Sequence, residues 1–197
     1  MTDDGADRTT GELLLLAGLA VVIAAVVAAA TFYGVSQGWF DGLRETNEPD
    51  DLNRSAVERS IHLAVNAERR DAGLEPLGYD RALRNVARNH SNDMGARGYF
   101  DHVTPDGDDW TDRYADAGYD CEVRINETYV VRGGGENIGR ISWDGDRLTV
   151  SNVTRRIVES WMASPEHRKN VLRPYWRREG IGVAANDTTM FVTQNFC

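Results

Sequence analysis

Histidine and glutamate supply most of the candidate chemistry in this sequence. Of its four histidines, His102 is predicted at a helix-to-loop transition and His167 in the first turn of a short helix, where sites are commonly built. Neutral imidazoles bind borderline cations such as Zn²⁺ and exchange protons near neutral pH. His90 is predicted on the apolar face of a helix, buried with its hydrogen bonds satisfied, and His62 is interpreted as structural or neutral.

Glu136 is the candidate carboxylate. It follows Gly133 to Gly135, between a predicted strand and the next segment, and a solvated loop charge is the alternative interpretation. The glycines predict a turn and not a phosphate-binding loop, because no Lys-Ser/Thr pair opens a helix after them. The sequence contains no H-E-x-x-H, G-x-S-x-G or Walker A motif, and spacing alone does not join Glu136 to the histidines.

Helices and strands must position these residues. Helical spacing of apolar residues and start signals such as Ser164-Pro165, with Ser at the N-cap and Pro at N1, predict five helices. They cover about Ala56–Asp71, a segment capped by Asp80 that ends near Ala96, Trp110–Ala117, Leu148–Met162 and a short helix from Ser164-Pro165. Predicted strands are Glu122–Arg132, Gly180–Ala185 and Thr189–Phe196, the last two as a hairpin around Asn186-Asp187. This order predicts an α+β fold.

An uncharged hydrophobic segment precedes this domain. Leu13 to Phe40 is long enough to span a bilayer as a helix. We predict a polar N-terminus over 1–12, a transmembrane signal anchor over 13–36, a linker over 37–56 and the globular domain over 57–197. Ala28-Ala29-Ala30 leaves a cleaved signal peptide, and hence a secreted domain, as the alternative. The acidic N-terminus, in which only Arg8 is basic, favours a retained anchor.

The prediction for location is a single-pass cell-membrane protein with its domain outside the cell. The charges flanking the segment lean slightly against this orientation, because Arg44 and Arg54 follow it and only Arg8 precedes it. The domain itself supports it, since N-x-S/T glycosylation acceptors recur there. These acceptors are Asn53, Asn126, Asn152 and Asn186.

The formal net charge of −9 excludes one class of partner. An acidic chain does not bind nucleic acid by neutralising phosphates. Lys169 is the only lysine, and the excess of acidic residues predicts a halophilic source, where salt screens the repulsion between them. An ordinary acidic domain from a GC-rich genome is the alternative.

The two cysteines, Cys121 and Cys197, fit no zinc or C-x-x-C redox spacing. Outside the cell a disulfide between them is predicted, and it would stabilise the fold by about 4 kcal/mol on the loop-entropy model. Two unpaired thiols are the alternative.

An ordered series of short motifs resembles the bacterial and archaeal branch of the CAP superfamily (SCP-like; cysteine-rich secretory, antigen 5 and pathogenesis-related 1 proteins). The motifs run in order through about 57–197. They are Asn66-x-x-Arg69, Gly73-Leu74-x-x-Leu77, Ala87-x-x-His90-Ser91-x-Asp93-Met94, Tyr99-Phe100-x-His102-x-x-Pro105-x-Gly107, Arg113-x-x-x-Ala117-Gly118-Tyr119, Gly135-Glu136-Asn137-Ile138, Trp161-Met162-x-Ser164-Pro165-x-His167-Arg168, Gly180-Ile181-Gly182-Val183 and Gln194-x-Phe196.

The resemblance implies an α-β-α sandwich with a cleft that many members line with two histidines and two glutamates. His102 and His167 then correspond to the cleft histidines and Glu136 to the first glutamate. Ser164 stands where many relatives have the second glutamate. His102 and His167 could hold Zn²⁺ or another divalent cation, with Glu136 as a third ligand or a partner behind a ligand. The missing carboxylate predicts weaker metal affinity.

Three functions remain open. The first is a non-enzymatic extracellular module that binds a lipid or a cell-surface ligand, since no nucleophile–base pair is recognisable. The second is a metal-assisted hydrolase or protease, with Glu136 activating water on a cation held by His102 and His167. The third is a structural domain at the cell surface, where the same residues only connect the layers of the fold.

Overall fold

The computed structural model describes residues 52–143 and 148–197. The predicted N-terminus, signal anchor and most of the linker lie outside these residues. No helix in the described ranges has both the length and the apolar character needed to cross a membrane.

The helices follow the sequence-based prediction closely. Asp80 caps its helix as predicted, because its Oδ1 accepts a hydrogen bond from Ala82 N over 2.8 Å. The first helix begins close to its predicted start at about Ala56, and Asn53 caps it, with Oδ1 accepting from Ala56 N over 3.1 Å. The helices in the described ranges are α1 (Arg54–Asp71), α2 (Arg81–Arg97), α3 (Trp110–Asp116), α4 (Val150–Ala163) and α5 (Pro165–Val171).

The strands required three corrections. The strands in the described ranges are β1 (Gly78–Tyr79), β2 (Glu122–Arg124), β3 (Val130–Arg132), β4 (Gly135–Ser142), β5 (Arg178–Ala185) and β6 (Thr189–Phe196). The single predicted strand Glu122–Arg132 is wrong, because a turn in which Asn126 Oδ1 accepts from Thr128 N and Tyr129 N separates β2 from β3. Sequence reasoning also missed the two-residue strand β1 and the longer strand β4, which begins at the last of the three glycines. Glu136 therefore lies in a strand and not in a solvated loop.

The main sheet has the strand order β1-β5-β6-β4. β1 pairs in parallel with β5, while the predicted β5–β6 hairpin and the β4–β6 pair are antiparallel. Glu136 lies opposite Asn195, and Asn137 lies opposite Gln194. Because side chains alternate between the faces of a strand, these two pairs project from opposite faces of the sheet.

Helices cover both faces, which gives the α-β-α arrangement. α2 packs against β5 and β6, and two glycines allow its close approach: a Cβ on Gly180 would lie 2.1 Å from Arg84 N, and one on Gly182 would lie 2.1 Å from Arg88 N. α1 packs on β5 and α4 on β4 at the other face, where the buried Trp161 donates from Nε1 to Ile138 O over 3.0 Å.

A disulfide fixes α3 to the end of the sheet. Cys121 and Cys197 are bonded with their Cα atoms 5.6 Å apart, which confirms the predicted pair. Just before Cys121, the hydroxyl of Tyr114 contacts the carbonyl oxygens of Gly135 and Phe196, each over 3.2 Å. α3 is therefore held against β4 and β6, next to Glu136.

Candidate functional site

Glu136 is the centre of the candidate site. Its side chain has 0% solvent exposure, and both carboxylate oxygens are engaged. Oε1 lies 2.8 Å from His102 Nδ1, and Oε2 accepts a hydrogen bond from Arg113 Nη2 over 2.7 Å. Oriented with its amide nitrogen toward the carboxylate, Asn195 also donates to Oε2 over 3.1 Å. A buried carboxylate needs such partners, because burial without them disfavours its charge.

His102 is held both by its ring and by its backbone. Its carbonyl oxygen accepts a hydrogen bond from Arg113 Nη1 over 3.0 Å, so one guanidinium orients both Glu136 and the backbone of His102. Because the Glu136 carboxylate only accepts, the His102 proton lies on Nδ1. In the neutral ring this leaves the lone pair of Nε2 available. With 37% of its side chain exposed, His102 can present that lone pair to a ligand.

His167 lies in the first turn of α5, as predicted. Its carbonyl oxygen accepts a hydrogen bond from Asn137 Nδ2 over 3.2 Å, and its buried Nδ1 has no hydrogen-bond partner among the described residues. Burial lowers the pKa of His167, and the nearby charge of His102 lowers it further. Both effects favour the neutral form of the His167 ring, and burial is the larger cause.

Ser164 occupies the N-cap of α5, followed by Pro165 at N1. Its side chain makes no capping hydrogen bond. It therefore adds neither a negative charge to the site nor a capping bond to the helix.

His90 is structural, as the apolar face of α2 indicated. The residue is 1% exposed, and its Nε2 lies 3.1 Å from Asp101 O. Burial lowers its pKa, partly offset by the negative charge of Glu136. Its Nε2 is 3.8 Å from Glu136 Oε1, so a neutral ring packs beside the carboxylate without forming a direct hydrogen bond.

The structure thus joins His102 and Glu136 directly and places His167 within electrostatic range of His102. Sequence reasoning missed Arg113 and Asn195. Arg113 begins the motif Arg113-x-x-x-Ala117-Gly118-Tyr119, which indicated the family but no role for the arginine. Asn195 carried no signal, since its position opposite Glu136 depends on the register of β6 against β4.

A divalent cation would have few ligands here. Catalytic zinc sites supply three protein ligands and structural ones four. His102 and His167 offer two imidazoles, while the carboxylate considered as a third ligand is already paired with Arg113. In residues 52–143 and 148–197, no group of three or more His, Cys, Asp or Glu side chains could hold a metal ion. The donor set does not fit a catalytic zinc site, and a cation bound by the two histidines alone stays a prediction.

The predicted glycosylation acceptors lie in different settings. Asn126 and Asn186 are exposed in the turns that follow β2 and β5. Asn53 caps α1, and Asn152 belongs to the capping box of α4 with Thr149. Asn53 is exposed like the two turn positions, whereas Asn152 is half-buried.

Comparison with known proteins identifies the relatives of this chain. Residues 62–196 match the model of the cysteine-rich secretory protein (CAP) family. The uncharacterised protein YkwD of Bacillus subtilis is 34% identical over 128 residues, which cover 65% of this chain and 42% of that protein. The uncharacterised membrane protein YlbC of the same organism is 30% identical over 143 residues, covering 73% of this chain and 35% of that protein.

A solved structure shares the fold. It is an extracellular protein of Bacillus anthracis that contains an SCP domain, with a TM-score of 0.55 and 27% identity. The match covers 76% of this chain and 43% of that one. The chain therefore spans less than half the length of each of these three relatives.

Proposed function

Because the chain belongs to the cysteine-rich secretory protein (CAP) family, we propose that its domain is a non-enzymatic binding module. It acts outside the cell, tethered to the membrane by the predicted anchor over 13–36. Its ligand, a lipid or another cell-surface molecule, contacts the cleft formed by His102, Glu136 and His167. Ser164 stands at the N-cap of α5, the helix that carries His167.

One observation carries the proposal. Both oxygens of Glu136 are engaged, by His102 and by Arg113, and the carboxylate has no solvent exposure. A general base must instead reach the proton that it removes. Among the described residues, no hydroxyl or thiol hydrogen-bonds to the ring of His102 or His167, and both cysteines form the disulfide. The cleft therefore offers preorganised polar contacts without an activated nucleophile.

The extracytoplasmic location has independent support. The Cys121–Cys197 disulfide fits an oxidising compartment. One relative is described as an extracellular protein and another as a membrane protein. Glycans at Asn126 and Asn186 would fit this location, and unfolding midpoints measured in low and in multimolar salt would test the proposed halophilic character.

Native mass spectrometry of the full-length chain, extracted from its membrane, tests the proposal. The intact mass reports the N-terminus, the disulfide and any glycans, and gentle activation releases a bound lipid. We expect a lipid adduct that the His102→Gln/His167→Gln variant loses. The matched control is Arg155→Gln/Glu159→Gln, which alters an exposed ion pair on α4 and should keep the adduct.

Three outcomes contradict the proposal. An adduct that survives in the cleft variant would place the ligand elsewhere. Peptide or ester hydrolysis by the wild-type chain that disappears in the same variant would replace the binding module with a hydrolase. A wild-type chain that carries no ligand, together with a cleft variant that loses much of its stability, would favour the purely structural role.

A further inference from the structure

A buried carboxylate lies outside the cleft and takes no part in it. Glu179 at the start of β5 is 0% exposed. Its Oε1 lies 2.6 Å from His62 Nδ1 on α1, and its Oε2 accepts a hydrogen bond from Gln194 Nε2 over 2.5 Å. His62, itself partly buried, is therefore the proton donor to this buried carboxylate, which gives its predicted structural role a specific form.

The contacts of Gln194 continue as a chain of amides. Gln194 Oε1 accepts a hydrogen bond from Asn137 Nδ2 over 3.1 Å, and Asn137 Oδ1 accepts one from Asn170 Nδ2 over 3.0 Å. The register of the sheet makes this chain possible, because Gln194 lies directly opposite Asn137.

The chain ends at the backbone of the cleft. Asn137 Nδ2 donates to His167 O over 3.2 Å, and Asn170 Nδ2 donates to Glu136 O over 3.1 Å. These bonds tie α5, which carries His167, to β4, which carries Glu136. They run behind the cleft, on the sheet face opposite the Glu136 side chain.

The negative charge of Glu179 orients Gln194 at one end of the chain, and the carbonyl oxygens of His167 and Glu136 hold Asn137 and Asn170 in the same sense. A carboxylate only accepts hydrogen bonds, so Gln194 must turn its nitrogen toward Glu179 and its oxygen toward Asn137. Asn137 must then donate to Gln194 and accept from Asn170. A neutral amide at position 179 could turn its nitrogen toward Gln194, and Gln194 could then reverse and withdraw the acceptor that it offers to Asn137.

We propose that Glu179 and His62 are positioning residues for the cleft, acting through the oriented amides of Gln194, Asn137 and Asn170 to hold α5 on β4. The role of the cleft as a binding site rests on the proposed function. The positioning itself can be measured without any ligand.

His62 completes the arrangement by holding one tautomer. Its Nδ1–H donates to Glu179, and its Nε2 accepts from Asn66 Nδ2 over 3.3 Å. The Asn66 side chain is itself fixed, because its Oδ1 accepts from Leu77 N over 2.7 Å and its Nδ2 donates to Leu77 O over 3.0 Å. The ring of Tyr79 packs edge-on, with centroids 5.1 Å apart. The imidazole therefore presents a donor to Glu179 and cannot easily turn away.

The test compares two glutamine variants of the full-length chain in detergent. Glu179→Gln removes the charge that orients Gln194, the link between Glu179 and Asn137. Glu58→Gln is the matched control, since Glu58 is also 0% exposed but pairs with Arg88 and Val183 N, away from the amide chain. Hydrogen exchange of α5 and NMR titration of the His167 ring are measured in both variants.

We expect Glu179→Gln to lower exchange protection in α5 by roughly tenfold or more, with little change there in Glu58→Gln. The pKa of His167 should rise toward its ordinary value, because a loosened helix exposes the ring. Equal changes in the two variants would mean that Glu179 contributes only to general stability, and unchanged α5 protection in Glu179→Gln would overturn the proposal.

Asn170→Ala serves if Glu179→Gln does not fold. It removes only the final, partly exposed link, and it should reproduce both changes. Glu179→Asp, which keeps the charge, should restore α5 protection at least in part. If these changes occur while no ligand is ever found, the proposed function fails and the positioning role stands. If a ligand binds and α5 protection is unchanged, the positioning role fails and the proposed function stands.

Discussion

Arg113 Nη2 lies 2.7 Å from Oε2 of Glu136, and both side chains are largely removed from solvent, with 11% and 0% exposure. The same arginine also donates from Nη1 to His102 O over 3.0 Å. The Arg113 guanidinium thus neutralises the Glu136 carboxylate and also fixes the backbone of His102, whose ring is hydrogen-bonded to that carboxylate.

Arg113→Met should therefore destabilise the domain by about 3–5 kcal/mol, because it leaves a buried carboxylate without its counter-charge. Adding Glu136→Gln to this variant should recover much of the loss, since the unpaired charge disappears. Chemical denaturation of the two single variants and the double variant gives the coupling free energy. Additive losses would show that the two residues do not act as a pair.

Gly182→Ala should displace α2 from the sheet. A Cβ there would lie 2.1 Å from the backbone nitrogen of Arg88, and backbone atoms cannot move aside as a flexible side chain can. We expect a loss of about 1–3 kcal/mol or more. Gly78→Ala is the control on the same sheet, because its Cβ would meet nothing closer than 3.6 Å. Similar thermal midpoints for the two variants would contradict the proposed close approach.

Reduction of the Cys121–Cys197 disulfide should lower stability by about 4 kcal/mol, as expected for a loop closed over 76 residues. Urea midpoints with and without a reductant measure the loss. A Cys121→Ser/Cys197→Ser variant should match the reduced protein and should not respond to reductant. A reductant-sensitive midpoint in that variant would point to another cause.

Acidification should destabilise the domain in the window below pH 6.5, the ordinary pKa of histidine. Burial lowers the pKa of His90 and His167 in the folded state, so the unfolded chain takes up protons first as the pH falls. The contribution of these two histidines to the free energy of unfolding is fully present above pH 6.5. It is lost as the pH falls through their lowered folded-state pKa values.

His90→Gln/His167→Gln should flatten this part of the profile, measured as unfolding free energy against pH. Asp93 acts in a separate window, because its hydrogen bond to Arg97 lowers a carboxyl pKa that is ordinarily 3.8. An unchanged slope between pH 6.5 and the carboxyl range would show that other groups control the transition.

Local signals explain which elements could be predicted. Asp80 and Ser164-Pro165 mark helix starts, so the start of α5 was predicted, and the apolar periodicity that follows Asp80 let both ends of α2 be predicted within a residue or two. β4 was not predicted, because it starts within a run of glycines that is also typical of a turn. Gly133 and Gly134 do have positive φ values of 86° and 64°, whereas Gly135 is already in the strand.

The sequence by itself determined the helices, the terminal hairpin, the cysteine pair and, through its ordered motifs, the candidates His102, Glu136 and His167. Only the tertiary structure decided that Glu136 is buried between His102 and Arg113, and that Glu179 faces His62 and Gln194. The physical reason is that caps and periodicity act within a few residues, whereas these partners lie 34, 23, 117 and 15 positions apart. Strand register and helix packing bring them together, and a shift of one residue would turn Glu136 and Asn137 to the opposite faces of the sheet.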